Sequence, residues 1–177
     1  MTRTNQKWTA TLACALAALI FASGVSAQLP GVEAPPAVIV NASQLGATMR
    51  QSAANNTLDT KVAETGVKGG IIRVGIIYRE QPETRALIHQ ELTEIYYIVE
   101  GGGTLVTGGT VENVQPVSDP PNLGPTPSFF VTQVGGETQR VGVGDVVILP
   151  AGLPHRLSEL DGPTSYIIYR FEGDQPQ

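Results

Sequence analysis

The feature that most constrains this chain is its punctuation. From Gly69 onward, glycine and proline clusters recur at strand-length intervals: Gln81-Pro82-Glu83, Gly101-Gly102-Gly103, Gly108-Gly109, a stretch with five prolines at 116–127, Gly135-Gly136, 142–145 and Asp161-Gly162-Pro163. Breaks this frequent leave no room for long helices and favour many short strands joined by tight turns. Hydrophobic residues make up 41% of the 177 positions, enough for one cored domain and too many for a disordered chain.

The intervals between the breaks read as strands. Residues 71–79 alternate, with Ile72, Val74, Ile76 and Tyr78 on one face and Arg73, Gly75, Ile77 and Arg79 on the other. Strands at 85–91 and 94–100 follow, and those at 104–107 and 110–114 flank Gly108-Gly109, which has the chemistry of a two-residue hairpin turn. Strands at 128–134, 146–149, 154–160 and 164–171 complete the set, and the proline-rich 116–127 is expected as a long loop at the pocket mouth. Upstream, 41–54 has helical character, with Leu45 and Met49 four apart and Ser43 as the expected cap. The domain reading is an arm with a short helix at 28–68 and an all-β barrel domain at 69–172.

The first 27 residues read as a leader. Arg3 and Lys7 precede an almost uncharged run rich in Ala and Leu, and Val25-Ser26-Ala27 has the small residues of a cleavage site before Gln28. Cleavage there sends the protein to the periplasm or outside the cell, with no membrane association afterwards. It also removes Cys14, the single cysteine, so the mature chain has no disulfide and no thiolate. Losing Arg3 and Lys7 from 11 basic residues leaves 9 against 16 acidic ones, a charge of −7. Without a basic stripe, nucleic acid is excluded as a partner.

The polar residues with chemistry in them are few. The chain has two histidines, His89 and His155. In an extended strand His89 shares a face with Arg85, Leu87 and Glu91, whereas Glu94 joins that face only if a turn or bulge intervenes. Tyr96 and Ile98 then follow Glu94 inward. His155 opens a strand after the rigid turn Pro150-Ala151-Gly152-Leu153-Pro154, with Leu157 and Glu159 on its face. Arg73, Arg79 and Arg85 lie near the first block as candidates to hold a substrate carboxylate in a two-pronged hydrogen bond. Tyr78, Tyr97, Tyr166 and Tyr169 read as core or interface packing.

These two blocks resemble the paired motifs of the cupins. Glu94-x6-Gly101 matches the end of the first motif, and Gly144-x5-Pro150-x-Gly152-x2-His155 matches the second through its histidine. The resemblance spans about 71–171. It implies a jelly-roll β-barrel and a divalent-metal site, with His89, Glu94 and His155 carried over as ligands. The chain departs from the pattern at Glu83, where the first motif opens on glycine, at Glu91, where the second histidine belongs, and at Glu159, where the second motif ends on asparagine. Glu91 is thereby a weaker fourth ligand or a general base, and Tyr96 a second catalytic candidate. Two imidazoles and a carboxylate with open positions suit Fe, Mn or Zn.

The function implied is an exported cupin that binds a divalent metal and acts on or binds a small organic molecule, as an oxygenase, isomerase or lyase if it is an enzyme. The alternative is a non-catalytic ligand-binding or structural barrel without metal. A homodimer is expected on the same resemblance. A Ser-His-Asp triad is disfavoured by the scarcity of histidine and the lack of a G-x-S-x-G elbow.

Overall fold

The computed structural model describes residues 36–118 and 122–173. The leader at 1–27 and the start of the arm lie outside them, as do Asp119, Pro120 and Pro121. Helix α1 (Ala42–Asn55) forms where helical spacing predicts it. Its cap is Asn41, not Ser43: Asn41 keeps extended backbone and its side-chain oxygen accepts the Gln44 amide at 2.9 Å, meeting one of the orphan donors of the first turn. Ser43 instead donates to that same oxygen. The helix stops at Asn56, which takes the left-handed conformation with φ 48°. It packs on the sheet through buried Ser52, whose hydroxyl lies 2.8 Å from that of Thr60.

Eleven strands follow among the described residues: β1 (Asp59–Val67), β2 (Gly70–Arg79), β3 (Ala86–His89), β4 (Leu92–Glu100), β5 (Gly102–Thr107), β6 (Thr110–Pro116), β7 (Ser128–Val134), β8 (Glu137–Gly142), β9 (Val146–Leu149), β10 (His155–Leu160) and β11 (Thr164–Gly173). They form two antiparallel sheets in the orders β1-β2-β11-β4-β9 and β6-β7-β3-β10-β5-β8. Among the described residues no ladder joins the two sheets. They are held together by a shared core of Ile77, Tyr96, Ile98, Leu149, Tyr166 and Ile168 from the first sheet and Leu105 and Leu157 from the second. Burying each such side chain contributes roughly 1.5–3 kcal/mol.

Three details differ from the sequence reading. Strand β1 begins ten residues before Gly69, and β8 occupies residues between two turns to which the sequence reading assigns no strand. β1, β6 and β8 are edge strands; β6 and β8 have mostly exposed side chains and β1 has no buried ones, so they carry little of the alternation that marks a half-buried strand. Gly108-Gly109 is not a hairpin turn: β5 pairs with β10 and β8, whereas β6 pairs with β7. Both glycines have positive φ, and they carry the chain on into β6 instead of folding it back onto β5.

Register places the interior in rows across the central strands. One row is Arg73, Arg170 and Glu94; the next is Gly75, Ile168 and Tyr96; the next is Ile77, Tyr166 and Ile98. A polar row therefore sits beside an apolar one. Gly101 closes β4 with φ 72°, and a Cβ there would stand 2.4 Å from the Pro163 carbonyl oxygen, so only glycine fits.

Candidate metal centre

Three elements converge on the polar row. β3 ends at His89, and Gln90 and Glu91 form a bend before β4 starts at Leu92. The bend is held by the Gln90 amide donating to the Pro127 carbonyl at 3.0 Å. It reverses the parity of the following strand, so Glu94, Tyr96 and Ile98 point inward while Tyr97 is exposed. The same bend sends Glu91 into solvent. The expected same-face pairing of Glu91 with His89 is not formed, because β3 ends at His89, two residues before Glu91. His155 starts β10, and the turn before it is tied to the first block by the Gly152 amide, which donates to the His89 carbonyl at 2.7 Å. Gly152 makes that turn at φ 80°.

His89, Glu94 and His155 are 3%, 2% and 4% exposed, and each offers one ligand atom within 4.8 Å of the others. His89 Nε2 lies 3.7 Å from Glu94 Oε1, and His155 Nε2 lies 3.4 Å from Glu94 Oε2. The far nitrogens are both engaged. His155 Nδ1 is 3.0 Å from the Leu153 carbonyl, which can only accept, so Nδ1 carries the hydrogen. His89 Nδ1 is 2.7 Å from Ser128 Oγ. Both rings therefore turn Nε2 toward one carboxylate.

That carboxylate is held from two further sides. Tyr96 donates its hydroxyl to Glu94 Oε2 at 2.8 Å, and Arg170 Nε donates to Oε1 at 3.0 Å. Arg170 also pairs with Asp59 at 2.8 Å. Burial pushes the Glu94 carboxyl up, but the His155 hydrogen bond and the His89, His155 and Arg170 charges outweigh it and hold it well below the usual range. Burial pulls His89 down to about 4 against the attraction of Glu94. For His155 burial also acts downward, but the Glu94 hydrogen bond and charge win and the imidazole is raised above its ordinary 6.5. Of the two imidazoles, His155 is thus the one that holds a proton more readily. Burial and the Glu94 charge push Tyr96 well above 10, so its hydroxyl keeps its proton and serves to orient Glu94.

The other expected residues scatter. Arg73 is buried but spent on Glu64 at 2.7 Å and on Glu172. Arg79 pairs with Glu83 at 2.7 Å and donates to the Tyr166 hydroxyl at 3.2 Å, at the far end of β2 from Arg73. Arg85 is exposed and lies over the Phe130 ring, 4.1 Å from its centre. Tyr166 packs on Tyr96 in the core, Tyr78 is buried, and Tyr97 and Tyr169 are exposed on the outer face. Glu159 leaves the His155 face at a bulge after Leu157 and accepts a hydrogen bond from Thr104 at 2.7 Å. Sequence reasoning missed Arg170, Asp59 and Ser128. For Arg170 a signal existed: alternation through β11 puts it on the inward face of Tyr166 and Ile168, an unusual place for a lone arginine.

No family model matches the chain, and no curated protein matches it. Among solved structures it is similar to BH2720 from Bacillus halodurans, at 15% identity over 80% of this chain and 86% of that one with a TM-score of 0.47. It is also similar to KdgF from Halomonas sp., at 15% identity over 66% and 79% with a TM-score of 0.40, and to a Streptomyces PAC13 structure with uridine, at 11% identity over 65% and 79% with a TM-score of 0.37. At these identities and scores the likenesses say nothing of substrate or reaction. On the chain's own strand order and its two motif blocks, the fold is a cupin-like jelly roll.

Proposed function

We propose that the protein is an exported jelly-roll domain that holds one divalent metal on His89, Glu94 and His155 and binds a small organic molecule there. The observation that carries this is the convergence of two Nε2 atoms on one carboxylate while both Nδ1 atoms are engaged elsewhere. An imidazole whose outer nitrogen is fixed by a carbonyl or hydroxyl presents its inner nitrogen to a metal in a set orientation. With Glu91 in solvent the donor set is two nitrogens and one carboxylate. That set leaves positions open and suits Fe, Mn or Zn. Bound there, the ion would supply Lewis acidity or oxygen activation. The chain's own residues do the rest: Arg170 and Tyr96 hold the carboxylate, and buried Ile168 lies in the row beside it.

A proton must leave before metal can bind. Glu94 stays ionised and His89 stays neutral at ordinary pH, so the competing proton is that of His155. Because His155 is raised, metal affinity is expected to keep rising above pH 6.5, about tenfold per pH unit below its pKa. Below that pKa, each ion bound there displaces a proton from His155. Titration calorimetry in two buffers of different protonation enthalpy measures this. Affinity that is level above pH 6.5, with no proton released, would contradict it.

A second reading, a non-catalytic barrel, is favoured by the near-complete burial of the three side chains. A cleft of about 510 Å³ lies instead against Tyr78, Arg79, Glu83, Arg85, Leu87 and Phe130. Azide added to the cobalt-loaded protein separates the two: a shifted visible spectrum means the ion can be reached by small ligands, and an unchanged one favours the non-catalytic barrel.

Export and pairing belong to the same proposal. The leader-like run at 1–27 supports cleavage, and exposed Tyr97, Val146, Ile148 and Tyr169 on the outer face of the first sheet support self-association. Native mass spectrometry of the exported protein should show a dimer of chains that begin at Gln28. Chains that keep Trp8 would contradict the first part, and a monomer at micromolar concentration the second.

A further inference from the structure

Ser128 has one hydroxyl hydrogen and two neighbours that compete for it. Its Oγ lies 2.7 Å from His89 Nδ1 and 3.2 Å from the Thr126 carbonyl oxygen, and all three residues are buried. The carbonyl can only accept. If Ser128 gives its hydrogen to Thr126, His89 must donate from Nδ1, and of these groups only the bare His89 Nε2 is left without a donor. If Ser128 gives it to His89 instead, the Thr126 carbonyl loses that donor. His89 Nε2–H would then face Glu94 Oε1 across 3.7 Å, too far for a good hydrogen bond. Buried groups left without partners are costly, so the first arrangement wins.

From this we infer that Ser128 is a positioning residue: it fixes His89 as the tautomer with hydrogen on Nδ1 and a bare Nε2 aimed at Glu94, before any metal arrives. The direction of its hydroxyl is set by the end of the proline-rich loop. Thr126 is anchored there by its own hydroxyl, which donates to Glu172 at 2.8 Å, and Glu172 in turn is paired with Arg73. The buried ion pair around Arg73 thus has a role at the site although Arg73 touches none of the three ligands.

The consequence for affinity rests on the metal reading above; the tautomer does not. Long-range proton–nitrogen NMR on the metal-free protein should show hydrogen on Nδ1 of His89. Ser128→Ala removes the acceptor and should shift His89 toward the Nε2–H form and weaken zinc binding about 10- to 100-fold. Ser128→Thr, which keeps a hydroxyl, should restore both. Should Ser128→Ala not fold, the wild-type tautomer and the Ser128→Thr variant decide the matter. Wild-type His89 with hydrogen on Nε2 would overturn the inference, as would a folded Ser128→Ala variant with unchanged tautomer. If the Nδ1–H form is found and zinc does not bind, the positioning role stands and the metal reading alone fails.

Discussion

Glu94→Ala is expected to cost about 3–5 kcal/mol of folding stability, the range found when one partner of a buried charge cluster is removed. Glu94 is 2% exposed and stands where Arg170, Tyr96 and both histidines meet. Without it, Arg170 keeps only Asp59, the Tyr96 hydroxyl loses its acceptor, and His155 loses the charge that holds its proton. Glu94→Gln keeps the shape and should cost less, although the amide cannot accept from all of these donors. Urea unfolding of metal-free protein measures both. A loss below about 1 kcal/mol for Glu94→Ala would mean that the carboxylate is solvated rather than central, since exposed ion pairs contribute about that much.

The second large effect concerns the ion. His155→Ala and His89→Ala should each bring stoichiometric metal binding to an end, because a single imidazole and a carboxylate leave too few donors for a stable site. Glu91→Gln should leave metal content unchanged, since Glu91 is in solvent beyond the end of β3. Metal content of the purified variants, with circular dichroism to show that they fold, makes the comparison. Full loading of His155→Ala, or loss of metal in Glu91→Gln, would place the ligands elsewhere.

The contrast between Glu91 and Glu94 shows what a sequence of this kind discloses. The second block could be read directly, because Pro150, Gly152 and His155 act locally: a rigid turn delivers a histidine to the start of a strand. The first block depended on one bend of two residues, which decides by parity which of two carboxylates is inside. Glu94 was legible only as conditional on that bend. Arg170 and Ser128 were not, because their roles come from register. Arg170 meets Glu94 across 76 positions, and Ser128 meets His89 across 39. Gly108-Gly109 shows the same limit for the fold. Its turn chemistry is real, but the partner of each flanking strand is chosen by distant residues.

Arginines are the clearest case of the distinction. Arg73, Arg79 and Arg85 lie close in sequence to His89, yet each is engaged elsewhere. The one that reaches Glu94 lies on the last strand. Proximity along the chain pointed to three that do not touch Glu94, whereas the inward face of β11 held the one that does.

The most direct test is the metal content of the wild-type protein. Purified without chelator from cells grown with ample iron, manganese and zinc, it should contain close to one divalent ion per chain. After chelation it should take up one again, with Nε2 of both histidines perturbed in its NMR spectrum. A protein that is isolated with well under one ion per chain, and cannot be reloaded at any pH from neutral upward, would contradict the assignment of His89, Glu94 and His155 as a metal centre.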